Sequence, residues 1–159
     1  AKDFLTRAFT VIFMATVIIW FLQSFDTRLN VVENSADSIL AALGRLVSPI
    51  FAPLGFGDWR MVTALVSGFT AKEAVVSTFG VILGVSTEQL GIALHSLFTT
   101  ASAASFLAFC LLYTPCVASV STIKTELKSG WKTVGIVFAQ CLVAWLAAFV
   151  VYHVGLLLT

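Results

Sequence analysis

LLYTPCVASV, residues 111–120, lies inside an uncharged run from Ser96 to Ile123. The run is long enough to cross a bilayer, which takes about 20 helical residues. Yet Pro115 stands near its middle with Cys116 beside it. Proline lacks the N–H and clashes with the preceding turn of a helix interior. At the first helical position it costs little, because that N–H has no intrahelical partner anyway. Thr114 as N-cap, Pro115 at the first position and Cys116 in the first turn therefore predict a second half-helix that starts within the apolar run. Such a start favours negative charge.

The rest of the sequence says what solvent surrounds this break. Of 159 residues, 59% are hydrophobic and 11% charged, whereas a soluble domain carries about 25% charged residues. So short a chain cannot enclose that much apolar surface. The predicted fold is all-α, a polytopic transmembrane helical bundle. Net charge of +1 gives no sign of a nucleic-acid partner. Cys110, Cys116 and Cys141 make an odd set without CxxC or zinc spacing, so no disulfide framework is expected. The start at Ala-Lys-Asp suggests a piece of a longer protein. Residues 2–22 have a basic start and an apolar stretch but no small-residue cleavage site, and read as a retained span.

Four membrane segments are expected, at about 4–25, 59–83, 100–124 and 131–157. Two short interfacial helices are expected at about 35–47 and 87–98. The first would carry Asp37 in its first turn and Ile39, Leu40, Leu43, Leu46 and Val47 on one face. The second would open on the capping-box spacing of Ser86 to Gln89. Asp58 is placed to cap the segment that follows a loop containing Pro49, Pro53, Gly55 and Gly57.

The segment at 59–83 is also interrupted. SGFTAKEAVVS, residues 67–77, puts Lys72 and Glu73 near its centre, with 11 uncharged residues before them and 14 after. A charge at the centre of a membrane helix costs about 2.5–3.5 kcal/mol on insertion scales, and neighbours i and i+1 do not face each other. Thr70 and Glu73 have capping-box spacing and Gly68 precedes them as a break. This predicts a half-helix starting at Thr70, with Glu73 at its positive end; the alternative is a continuous helix with a charge pair facing its neighbours. Two interrupted apolar segments point to the central site of a transporter.

Three blocks carry a family resemblance: residues 48–78 (SPIFAPLGFGDWRMVTALVSGFTAKEAVVST), 111–132 (LLYTPCVASVSTIKTELKSGWK) and 1–22 (AKDFLTRAFTVIFMATVIIWFL). They resemble the C-terminal, Gate-containing part of the membrane domain of ferrous iron transport protein B, FeoB. The resemblance implies a multi-pass permease of the bacterial inner membrane with Fe2+ as transported substrate and no cofactor or enzymatic activity in this chain. It implies metal contact at Cys116, and it maps the family's Gly-x-x-Ala-Lys-Glu block onto Gly68, Ala71, Lys72 and Glu73. GTP and Mg2+ would belong to an amino-terminal GTPase domain outside this sequence. Other implied partners are the first half of the membrane domain, small Feo accessory proteins and a second copy in a homo-oligomer.

The chemistry agrees: thiolate and carboxylate suit Fe2+, and thiolate discriminates against Mg2+ and Ca2+, so Cys116 and Glu73 are the expected metal contacts. A Cys–His hydrolase is disfavoured, since His95 and His153 sit near segment ends. A Gate-type carrier for an organic solute such as a nucleoside would place hydrogen-bonding groups, not a thiol, at the breaks. A structural anchor for a soluble domain would not need Lys72 and Glu73. Cys110, Cys141 and Met14 are expected to pack, and Gln140 to bond a neighbouring helix. One conflict is left: Lys2 and Arg7 place the start in the cytoplasm. If all four segments cross, Lys124, Lys128 and Lys132 emerge outside. The alternative is that the third segment, 100–124, returns at Thr114-Pro115 as a re-entrant hairpin and leaves them inside; crossing is the expectation.

Overall fold

The structure, a computed structural model, describes residues 2–158 except 27, 29, 33, 71, 114 and 115, and describes only the backbone of 2–5, 7, 8 and 87. Eight α-helices are seen among the described residues: α1 (Lys2–Ser24), α2 (Ile39–Phe51), α3 (Trp59–Gly68), α4 (Ala74–Leu83), α5 (Thr87–Leu97), α6 (Thr100–Leu112), α7 (Val117–Leu127) and α8 (Gly130–Leu158). Short 3-10 turns cover Ser35–Asp37 and Ala52–Leu54. An isolated bridge joins Phe25 and Val31, the one piece of β pairing among the described residues. The fold is an all-α membrane bundle, with four membrane segments of which two are discontinuous.

The backbone of the bundle is the pair α6 and α8. Small residues let them approach: Ala101 and Ser105 on α6 meet Ala144, Ala148 and Gly155 on α8, and Ala144 and Ala148 are fully buried. Lipid gives no hydrophobic drive between helices, so close packing and inter-helix hydrogen bonds hold them instead. Ser105 supplies one, donating to the Ala148 carbonyl at 2.9 Å. Ala101 lies against Gly155 and Ser105 against Ala148, so the two helices run antiparallel. Outside this seam the surface is apolar: Leu111 is 77% exposed, Phe138 70% and Leu157 86%. That is the pattern of side chains turned toward lipid or a partner.

A ladder of rings on α6 receives the next segment. Phe106 packs on Phe56, just before α3, with centroids 5.4 Å apart, and on Phe79 in α4 at 5.8 Å. About two helical turns further on, Tyr113 meets the end of α3 at Leu65 and Gly68, while Val75 at the start of α4 also packs on Gly68. The outer ends of α3 and α4 thus share one level of α6 and their inner ends share another. α3 and α4 run antiparallel as a hairpin that turns between Gly68 and Ala74, the arrangement of a re-entrant segment.

This arrangement removes the conflict over the lysines and overturns their expected outside placement. Thr6, Thr10 and Val11 of α1 line one cleft together with Ser121, Lys124, Thr125 and Lys128. The end of α7 therefore lies on the face where α1 begins, and the whole basic loop belongs to that face. The physical reason is parity: the hairpin adds no crossing, so α6 starts on the face where α1 ends. The broken helix Thr100–Leu127 and α8, at 28 and 29 residues, are each long and apolar enough to cross. α1 has 23 residues.

Other boundaries differ locally. The Ser35 helix is a single 3-10 turn followed by α2, capped by Ser38, whose hydroxyl oxygen accepts from Ala41 N at 3.1 Å. α2 continues through Pro49 rather than stopping at 47. Its buried side is Leu40, Ala41 and Gly44 against α3, while Leu43 and Leu46 of the expected face are exposed. The helix at Thr87–Leu97 forms, but Ser86 makes no side-chain cap bond. Asp58 caps α3 as expected, accepting from Arg60 N at 2.8 Å.

Candidate ion pathway at two helix breaks

The first break follows Gly68. The expected capping box of Thr70 with Glu73 does not form, because the Thr70 hydroxyl points back and donates to the Ser67 carbonyl at 2.8 Å. It satisfies the open end of α3 rather than the start of α4, which begins at Ala74 with Glu73 as an N-cap lacking a side-chain bond. Both Lys72 and Glu73 are exposed in this chain. Gly68 is required where it stands: a Cβ would lie 2.9 Å from Tyr113 Oη and would also strike Val75.

The second break follows Leu112. Thr114 and Pro115 lie outside the described residues. α7 begins at Val117, with Cys116 as its N-cap residue rather than in its first turn. The Cys116 sulfur lies 3.7 Å from Ser119 Oγ, three residues on, and the Cys116 carbonyl accepts from Val120 N at 3.1 Å. The thiol thus stands at the positive end of a half-helix inside the bundle.

The two breaks touch. Val117 N donates to the Phe69 carbonyl at 3.0 Å, so the start of α7 closes the end of α3. Tyr113, which sequence reading passed over, is the hub beside them. Its hydroxyl donates to the Leu65 carbonyl at 3.4 Å and its ring stacks on Phe109 at 5.3 Å. Its other contact is Lys72: the ammonium lies 5.3 Å from the ring centroid and donates to the Leu111 carbonyl at 3.3 Å. Gln23 of α1 reaches Ser67 Oγ at 3.4 Å, bringing a third helix to the junction. The one sequence signal for Tyr113 was a hydroxylated ring next to the Thr-Pro step.

The site is a junction and not a preformed cage. Among the described residues no group of three His, Cys, Asp or Glu side chains is placed to hold a metal. A cavity of about 770 Å³ opens beside it, with Lys72, Tyr113, Cys110 and His95 among otherwise largely apolar walls. Another of about 680 Å³ runs past Phe69, Tyr113 and Cys141 and is almost wholly apolar. Cys110 and Cys141 thus line cavities as well as packing, and Met14 is exposed on α1. His153 is bound locally to the Phe149 carbonyl at 2.9 Å, and the Gln140 side-chain oxygen is buried without a hydrogen-bond partner.

The family described as Gate, nucleoside recognition, matches residues 5–130, a stretch that holds both breaks. The chain belongs to the Gate family. The Gate chain is also similar to proteins described as Fe(2+) transporter FeoB. One from Methanocaldococcus jannaschii is 34% identical over 163 residues, covering 98% of this chain and 24% of that protein. One from Staphylococcus aureus strain COL is 38% identical over 157 residues, covering 98% and 23%. A Porphyromonas gingivalis protein described as a fusion of Fe(2+) transport protein A with FeoB is 28% identical, covering 99% and 24%. The Gate chain therefore spans about a quarter of the length of the curated relatives it matches. No solved structure matches it.

Proposed function

We propose that this chain forms part of the permease of a ferrous iron uptake transporter and supplies half of its ion pathway. One observation carries the reading: the break that presents Cys116 is hydrogen-bonded to the tip of a re-entrant hairpin through Val117 N and the Phe69 carbonyl. Irregular backbone is tolerated at membrane depth only where protein or a water-filled path covers it, and two half-helices meeting there form such a place. Cys116 and Glu73 are the metal contacts in this reading. Gly68, Thr70, Lys72, Thr114 and Pro115 shape the breaks. A soft thiolate favours Fe2+ over Mg2+ and Ca2+, and a site that is only half a cage lets the ion leave.

In this reading the chain is the C-terminal half of a membrane domain in the inner membrane, its basic face cytoplasmic. The remaining ligands come from the other half of that domain. GTP and Mg2+ act in a separate GTPase domain, and Feo accessory proteins and a second copy of the transporter are further partners. The chain itself carries the path and no catalytic step.

The family's description favours a second reading, a carrier for a nucleoside-like solute, and a cavity of about 770 Å³ has the size of a small-molecule site. The hydroxyls at the junction argue against it. Thr70, Ser67 and Tyr113 all donate to backbone carbonyls of α3, at 2.8, 3.2 and 3.4 Å, so these donors are already engaged.

The test is ferrous uptake into proteoliposomes by the intact transporter. Cys116→Ala abolishes most uptake at unchanged membrane abundance, while Cys110→Ala and Cys141→Ala do little. Normal uptake by the Cys116 variant, or competition by nucleosides, rejects the iron reading.

A further inference from the structure

Lys72 stands where the junction presents two groups that receive a cation, the Leu111 carbonyl and the Tyr113 ring. The last carbonyls of a helix have no intrahelical partner and carry about half a negative charge. At the end of α6 one of them, Leu111, points at the Lys72 ammonium 3.3 Å away. The face of Tyr113 lies 5.3 Å from the same nitrogen, and an aromatic face attracts cations through its quadrupole. Carbonyl, helix end and ring together make a cation site, and the protein's own ammonium fills it. Tyr113 is three residues and Leu111 five residues from Cys116 along the chain, and Lys72 is followed directly by Glu73.

We propose that Lys72 is a tethered stand-in for the transported ion. Its ammonium holds the carbonyl site at the end of α6 while the path is empty, and an arriving divalent cation must displace it. The proposal rests on the ion-pathway reading and adds its gate. Three features fit. The ammonium is exposed on its free side, so a flexible four-carbon stem can swing it away. Its partners are a carbonyl and a ring rather than a carboxylate, so nothing locks it by full charge pairing. Its place on the hairpin means that displacement acts directly on the segment tied to α7 at Phe69 and Val117. Two cations at contact distance on one carbonyl repel each other and compete for the same oxygen, so occupancy by metal and by Lys72 is exclusive.

The consequence is competition that can be measured without transport. Calorimetric titration of the detergent-purified intact transporter with Mn2+, a ferrous surrogate stable in air, gives the affinity. Lys72→Met keeps the length and apolar stem but removes the competing charge, and is expected to bind Mn2+ about tenfold tighter, the factor that corresponds to about 1.4 kcal/mol. Lys72→Arg keeps a permanent charge and serves if the Met variant fails to fold; it binds no tighter than the parent. Unchanged or weaker binding by a folded Lys72→Met protein, or tighter binding by Lys72→Arg, overturns the proposal. If Lys72→Met binds tighter while neither it nor the parent takes up iron, the stand-in role holds and the transport reading fails.

Discussion

Val117 gives its backbone N–H to the carbonyl of Phe69 across 3.0 Å, joining the first residue of α7 to the residue that ends α3. Each group is an orphan of its own helix end, and leaving either one buried and unpaired costs about 1–3 kcal/mol. Hairpin and broken span are therefore one mechanical unit at their midpoints.

Because that bond is all backbone, proline is the substitution that removes it. Val117→Pro sits at the first position of α7, where proline is welcome, and Cys116 already has the extended conformation (φ −56°, ψ 163°) that a residue before proline prefers. The helix is expected to survive while thermal stability in detergent falls by about 1–3 kcal/mol and uptake drops. An unchanged melting profile with full uptake would show that the two breaks are not coupled.

Gly68→Ala tests the close approach at the hairpin tip. The added methyl meets Tyr113 Oη and Val75, and overpacking of this kind costs about 1–3 kcal/mol, more than the helix propensity gained. Gly135→Ala is the control, since nothing lies within 4 Å of the added atom. Equal melting temperatures for the two variants would contradict the packing described at Tyr113.

Glu73 separates binding from folding. Its side chain is exposed and makes no cap bond, so Glu73→Gln is expected to change stability by no more than about 0.5 kcal/mol. Ferrous uptake should nevertheless fall well below that of Glu88→Gln, a surface change on α5. A large loss of stability would mean that Glu73 is buried by a partner and acts on the fold.

Sidedness is decided by labelling. In a background without native cysteines, Ser129→Cys should react with an impermeant thiol reagent only after the membrane is opened, whereas Ser86→Cys in the turn before α5 should react in intact cells. The reverse pattern would place the basic loop outside.

Both breaks were legible because each carries a local contradiction: proline in an apolar run at 115, a charge pair in another at 72 and 73. Their consequences in space were not. Whether the 59–83 segment crosses or returns depends on which level of α6 receives Phe56 and Phe79, and ring contacts between distant segments leave no periodic trace. Thr70 misled in a specific way, since capping-box spacing does not reveal that its hydroxyl prefers the Ser67 carbonyl. Pro49 misled in the opposite sense, as α2 tolerates the loss of one donor and runs on to Phe51. Tyr113 carried no motif, and its role arises only once Leu65, Gly68 and Lys72 converge on it.

The hairpin that turns back also fixes an arithmetic. With α1 as a passage beside the broken α6–α7 helix and α8, which are each long and apolar enough to cross, the number of passages is odd, and the chain would leave the bilayer on the face opposite the one where it entered. Two such units in tandem in one polypeptide would insert upside down with respect to each other, related by a two-fold axis in the membrane plane. Their hairpins would reach the midplane from opposite faces, one answering to the outside and one to the cytoplasm. A single duplicated sequence would then yield two doors facing opposite ways.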